Sequence, residues 1–159
     1  MAFNAEAFLQ QSVDAANATT FEVCPEGEYL FMVDTENDTI NVRELSRVSA
    51  KTGNPYSFHV LEVQCVCLDD KVRTQLGRDK VRVRASMNID LDDAGRLETG
   101  KNKNVSLGQF KDALSQNVPG WSPMKLLGAG PFMGRVKHNT SAKNPQQKFA
   151  EIVATARVS

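Results

Sequence analysis

Lysine and arginine are missing from the first 42 residues, where eight acids stand: Glu6, Asp14, Glu22, Glu26, Glu28, Asp34, Glu36 and Asp38. Aromatic residues make up only 7% of the 159, with one Trp and two Tyr, which excludes a long base-stacking platform. No apolar run approaches the roughly 18 residues that a membrane helix needs. Residues 1–20 have no basic start and no continuous apolar stretch, so they do not read as a signal peptide. The three cysteines, Cys24, Cys65 and Cys67, are odd in number and form no CxxC. That excludes a disulfide framework and points to free thiols in a reducing, cytoplasmic compartment.

What remains is the composition of one soluble domain, 41% hydrophobic and 24% charged, with 19 bases balancing 19 acids. The bases are unevenly placed. Residues 71–84 hold Lys71, Arg73, Arg78, Lys80, Arg82 and Arg84 against Asp79 alone. Residues 135–159 hold Arg135, Lys137, Lys143, Lys148 and Arg157 against Glu151. Such asymmetry permits a polyanionic partner despite overall neutrality.

Residues 1–20 carry a weak helical stripe (Phe3, Phe8, Leu9, Val13) and read as a mobile or loosely docked segment before a single domain over 21–159. A first strand is expected over Glu28–Val33, with its β-formers Tyr29, Phe31 and Val33. Residues 34–56 are polar and turn-rich, with room for a short strand at Ile40–Val42. A second strand is expected over Ser57–Leu68. Lys80–Leu91 alternates with period two: Val81, Val83, Ala85, Met87, Ile89 and Leu91 on one face, Arg82, Arg84, Ser86, Asn88 and Asp90 on the other. That is a half-buried third strand. Ser106 and Gln109 form a capping-box pattern before Leu107, Phe110 and Leu114, which predicts a helix ended by Pro119-Gly120. Strands over Phe132–His138 and Lys148–Val158 follow, joined as a hairpin. The order β-β-β-α-β-β describes a mainly β protein with one short helix. It suits a five-stranded Greek-key barrel of the OB type, which binds ligands on strands two and three and on the loops one–two and four–five.

Catalytic and metal-binding patterns are thin. His59, Cys65 and Cys67 alternate on one strand and read as core residues rather than a nucleophile pair or zinc ligands. The glycine cluster Gly128–Gly134 is neither a P-loop nor a dinucleotide fingerprint, and reads as a barrel corner. Asp69-Asp70 and Asp92-Asp93 read as solvated loop ends. No catalytic residue, metal ligand or cofactor is therefore assigned, and the chain reads as a non-enzyme.

Nucleic-acid binding fits the cations better. Lys80, Arg82 and Arg84 are expected outward on strand three, with Arg73 and Arg78 in the preceding loop. Arg43, Arg47 and Lys51 are expected in loop one–two, and Lys143 in loop four–five, flanked by Arg135, Lys137 and Lys148. Tyr56 and Trp121, in polar and Pro/Gly surroundings, are the stacking candidates, whereas Phe58 and Phe132 read as core.

The stretch Phe21-Glu22-Val23-Cys24-Pro25-Glu26-Gly27-Glu28-Tyr29 leads into strand one as Phe-x-x-x-Pro-x-Gly-x-Tyr, and Gly134-Arg135-Val136 opens the closing hairpin. With the long strands two and three and the short helix, the chain resembles bacteriophage-encoded single-stranded DNA-binding proteins of the OB-fold type. The resemblance implies sequence-tolerant binding of single-stranded DNA in replication or recombination, without catalysis, in the cytoplasm of a bacterial host. Replication or recombination proteins would be its further partners, and a homo-oligomer is compatible with it. Many such binders end in an acidic tail, whereas this sequence ends Ala-Arg-Val-Ser and keeps its acids at the other end. The acidic N-terminal segment is therefore expected to compete with DNA for the basic face or to bind partners. The alternative is a structural or protein-interaction β-barrel, such as a virion or accessory component, in which the cations of residues 71–84 pair with acids across strands.

Overall fold

The computed structural model describes residues 2–141 and 143–158. The chain runs α1 (Ala5–Gln10), β1 (Gly27–Val33), β2 (Ile40–Val48), β3 (Pro55–Cys67), α2 (Asp70–Leu76), β4 (Arg82–Ile89), α3 (Val105–Ala113), β5 (Phe132–Thr140) and β6 (Lys148–Ala156), with short 3-10 turns at Asn37–Thr39 and Pro123–Leu126. The fold is mainly β. Six strands form one sheet in the order β1-β5-β6-β4-β3-β2, and a β1–β3 pairing turns the sheet into a ring. β4 and β6 pair in parallel, and the other neighbours pair antiparallel.

The expected first strand is β1, and a further full strand follows it, which makes six strands where five were expected. β1 pairs with the end of β3 (Phe31↔Cys67 to Val33↔Cys65), and β2 continues along the same edge (Ile40↔Val63 to Val48↔Pro55). Residues 40–48 therefore form a full strand, longer than the short Ile40–Val42 strand expected within the polar stretch. Their composition misled because nearly all of β2 is exposed, so no face of it needs to be apolar. Arg43 and Arg47 consequently lie on a strand, not in a loop. β3 is thirteen residues long, and β4 reaches only as far as His59↔Ile89. Leu45–Phe58 thus projects as a two-stranded arm closed by a turn at Ser49–Asn54, where Gly53 supplies the positive φ of 71°.

The alternation of β4 is as the sequence predicts: Val81, Val83, Ala85 and Met87 are buried. They join Leu61, Val63, Cys65 and Cys67 of β3, Phe31 and Val33 of β1, and Phe132 and Val136 of β5 in one core. α3 packs on β4 and β6 through Leu107, Phe110 and Ala113. Its start departs from the expected capping box. Ser106 lies inside the helix, and the Asn104 side chain instead ties down the Asp90 amide and the carbonyls of Asp90 and Glu98. Gly134 faces the Phe31 ring, and a Cβ there would come within 2.8 Å of it, so the strand can approach the core only without a side chain.

α2 was not expected. Asp69 caps it by accepting from the amides of Lys71 (2.8 Å) and Val72 (3.4 Å), and Gly77 closes it in the left-handed conformation. Asp69 is thus a helix cap rather than a loop end, and Arg73 sits on a helix, paired with Asp70. Lys80 precedes β4 by two residues instead of lying within the strand.

Candidate nucleic-acid interface

Register fixes which side chains share the outer surface. Residues opposite one another across antiparallel strands share a face. Arg47↔Tyr56, Leu45↔Phe58 and Arg43↔Val60 therefore lie on one side of the β2–β3 pair. On β3–β4, Glu62↔Ser86, Gln64↔Arg84 and Val66↔Arg82 continue it. The opposite side carries Leu61, Val63, Cys65, Val83, Ala85 and Met87 into the core.

At the arm end, Tyr56 and Phe58 stand 6.0 Å apart between ring centroids, tilted by 32°. The Arg47 guanidinium lies 5.2 Å from the Phe58 ring centre. Tyr56 is 48% exposed and Phe58 is half-buried rather than core. This cluster joins a cation to two accessible aromatic rings, the combination that holds a phosphate and stacks a base.

At the other end, Arg78, Arg82, Arg84, Gln64, Val23 and Phe149 line a cleft of about 330 Å³. It opens where β4 and β6 part, since they share only the pairs Arg84↔Glu151 and Ala85↔Ile152. Phe149 is 46% exposed. The sequence reading passed over it, although Phe149, Glu151 and Val153 alternate with the more buried Ala150 and Ile152 on β6.

Half of the candidate cations are paired. Lys80 Nζ lies 2.9 Å from Asp34 Oδ1, and Arg82 Nε lies 2.7 Å from Asp34 Oδ2. Arg82 Nη2 also reaches Glu36 Oε2 at 2.7 Å. Arg84 bridges Glu151 (2.8 Å) and Glu62 (3.6 Å), and Arg43 pairs with Glu62. Arg135 stands on β5, beyond β6 from this face, paired with Glu28 at 3.1 Å. Among the described residues, Arg47, Lys51, Arg78, Lys137, Lys143 and Lys148 have no carboxylate within ion-pair distance. Arg78 donates to the Glu22 carbonyl at 3.1 Å, which ties the incoming chain to the rim of the cleft. Lys51 lies in the arm turn, Lys143 in the β5–β6 connection, and Lys148 starts β6 beside Phe149.

Burial alone would push the Asp34 carboxyl up. Hydrogen bonds from Lys80 and the Thr35 amide, with the charges of Arg82 and Lys80, outweigh it and hold the group below its usual value. Glu36 and Asp34 in turn push the Arg82 guanidinium upward.

Two aromatic candidates lie elsewhere. Phe132 is wholly buried, as expected. Trp121 is half-buried near the end of α3. Its Nε1 donates to Gln116 Oε1 at 2.9 Å, and Lys111 Nζ covers its ring at 4.2 Å. It is packed against the core and is not grouped with Tyr56.

His59 faces Glu44 across the arm, with Nε2 4.0 Å from Oε2, while Cys65 and Cys67 point into the core. Burial raises the Cys65 thiol well above its usual value, the opposite of an activated nucleophile. Among the described residues, no group of three or more His, Cys, Asp or Glu is placed to hold a metal ion. Among the described residues, no helix is long and apolar enough to cross a membrane. Compared with protein-family profiles, curated protein sequences and solved structures, the chain matches none of them.

Proposed function

We propose that this protein binds single-stranded DNA, sequence-tolerantly and without catalysis, in replication or recombination within a bacterial host's cytoplasm. The observation that carries the reading is the outward cluster of Arg47, Tyr56 and Phe58 on the β2–β3 arm. In the OB-type reading it falls in the connection between strands one and two and the start of strand two, and that loop is one of those OB-type barrels use for oligonucleotides. In this reading, bases stack on Tyr56 and Phe58, and the strand crosses the β3–β4 face toward Phe149. Phosphates meet Arg47, Lys51, Arg78, Lys143 and Lys148, cations that have no carboxylate partner among the described residues. Aromatic stacking tolerates every base, so it gives affinity without sequence preference.

The test is fluorescence anisotropy of a labelled oligothymidylate of about 30 nucleotides, long enough for two OB-type sites, across a salt series with duplex DNA as control. The expected result is preference for the single strand and affinity that falls with salt. Phe58→Ala should weaken binding by about 1–3 kcal/mol with little change in salt slope. Arg47→Ala should flatten the slope by about 0.7. No binding at low salt by folded protein would end the proposal.

A specific observation favours the second reading, a structural or protein-interaction barrel. Lys80, Arg82 and Arg84 are paired with Asp34, Glu36, Glu62 and Glu151, as a face built for stability or a protein partner would have them. Absence of DNA binding, with intact thermal unfolding, would select it.

A further inference from the structure

Arg82 and Arg84 stand at the centre of the β3–β4 face, and each guanidinium touches two carboxylates of different kinds. Arg82 gives Nε to Asp34, whose side chain is 2% exposed, and Nη2 to Glu36, which is 55% exposed. Arg84 gives Nη1 to Glu62, 12% exposed, and Nη2 to Glu151, 24% exposed. Glu36 is the more exposed of the two acids at Arg82, and Glu151 the more exposed of the two at Arg84. Asp34 is fixed from several sides, by Lys80, Arg82 and the Thr35 amide. Glu36 has its backbone held by Thr39, which donates from Oγ1 to the Glu36 carbonyl at 2.6 Å, while its carboxylate reaches Arg82 and Lys80. Glu151 also accepts from Asn139 Nδ2 at 2.8 Å.

A carboxylate and a phosphate make the same charge-assisted contacts to a guanidinium. We propose that Glu36 and Glu151 are built-in phosphate mimics that occupy Arg82 and Arg84 until a polyanion displaces them, while Asp34 and Glu62 position the two guanidinium groups. This rests on the single-stranded DNA reading and adds its regulation. The face is electrically closed when empty. A monovalent anion gains little by displacing an intramolecular acid, whereas a strand already held at Arg47 and Arg78 presents its phosphates at high local concentration. The carboxylates therefore select a multiply anchored strand over isolated anions, a repulsive element used for specificity.

The test uses the full chain carrying Glu36→Gln or Glu151→Gln, with labelled oligothymidylate in a salt series. Asp112→Asn serves as the control for net charge. Asp112 pairs with Arg157 just beyond the far end of β6, roughly 25 Å of strand from Phe149. Each Glu→Gln change is expected to tighten binding roughly twofold to fivefold at low salt. It should also steepen the salt slope by about 0.7. Asp112→Asn should do neither. Thermal unfolding of each variant confirms that it is folded. If wild type binds and the Glu→Gln variants match it in affinity and slope, or if Asp112→Asn tightens binding equally, the mimic proposal is overturned and the DNA reading stands. If no form binds, both fall together.

Discussion

Asp34 stands at the break between β1 and β2 with its carboxylate buried and shared by Lys80 and Arg82. A buried charge is tolerated only when paired and hydrogen-bonded. Its backbone is also used at both ends, since its amide donates to Gln64 and its carbonyl accepts from Gly128. One residue thereby joins β1, β3 and the connection before β5, and it also sets the position of Arg82. Its carboxyl sits below the ordinary 3.8 in the folded chain, so folding favours the ionised form. The stability this contributes is fully present above the unfolded value and is lost as pH falls through the lower folded value. Asp34→Asn should therefore lower thermal stability near pH 7, by leaving Lys80 and Arg82 short of a partner. The gap between variant and wild type should narrow as pH drops below about 4. Melting curves from pH 7 to pH 3 check this, and a gap that stays constant would show that the Asp34 charge is not what the fold uses.

At the scale of elements, α2 offers a cleaner measurement. Its seven residues bury only Val72, so packing contributes little and the ends matter. Asp69→Ala removes acceptors for two amides and should cost about 1 kcal/mol in urea unfolding. A change below a few tenths would mean that solvent replaces the cap. The same element shows why parts of the fold were legible and others were not. β4 was readable because one of its faces is core and the other is solvent, which imposes a period of two. β2 is exposed on nearly every residue, so its composition marks only Ile40–Val42 as a strand. It exists because β3 offers a complete edge from Pro55 to Val63. α2 has no apolar stripe, and only its terminal residues, Asp69 and Gly77, announce it. The candidate site was legible to a similar degree. The cations of residues 78–84 could be read as a group, and Tyr56 as accessible. Pairing with acids across strands was one of the readings, but which acids could not be read, because Asp34 and Glu151 lie 46 to 67 positions away from the bases they meet. Opposite charges at such separations meet only through the topology of the ring. Phe149 was missed for the same reason: its exposure follows from the gap between β4 and β6.

Across the whole molecule, part of the acidic first third meets the basic stretches in ion pairs. Of the acids in the first 42 residues, Glu28, Asp34 and Glu36 are paired with Arg135, Lys80 and Arg82, and Glu26 accepts from the His138 amide. Glu6 and Asp14 form no ion pair among the described residues. Residues 2–22 are exposed throughout, including Phe3, Phe8, Leu9 and Val13, and the core begins at Cys24. The segment is tied to the ring at its end, where the Phe21 amide donates to Gln147 Oε1. Acids that block the cationic face thus come from the body of the fold, and the early segment contributes neither burial nor pairing. Removing residues 2–20 should leave the melting temperature within a degree or so, since surface changes away from packed groups stay within about 0.5 kcal/mol. It should also leave oligothymidylate affinity and salt slope as they are, because Glu36 and Glu151 remain in place. Circular dichroism melts and anisotropy titrations on the shortened chain measure both. A steeper salt slope and tighter binding after truncation would instead make the early segment the competitor for the face.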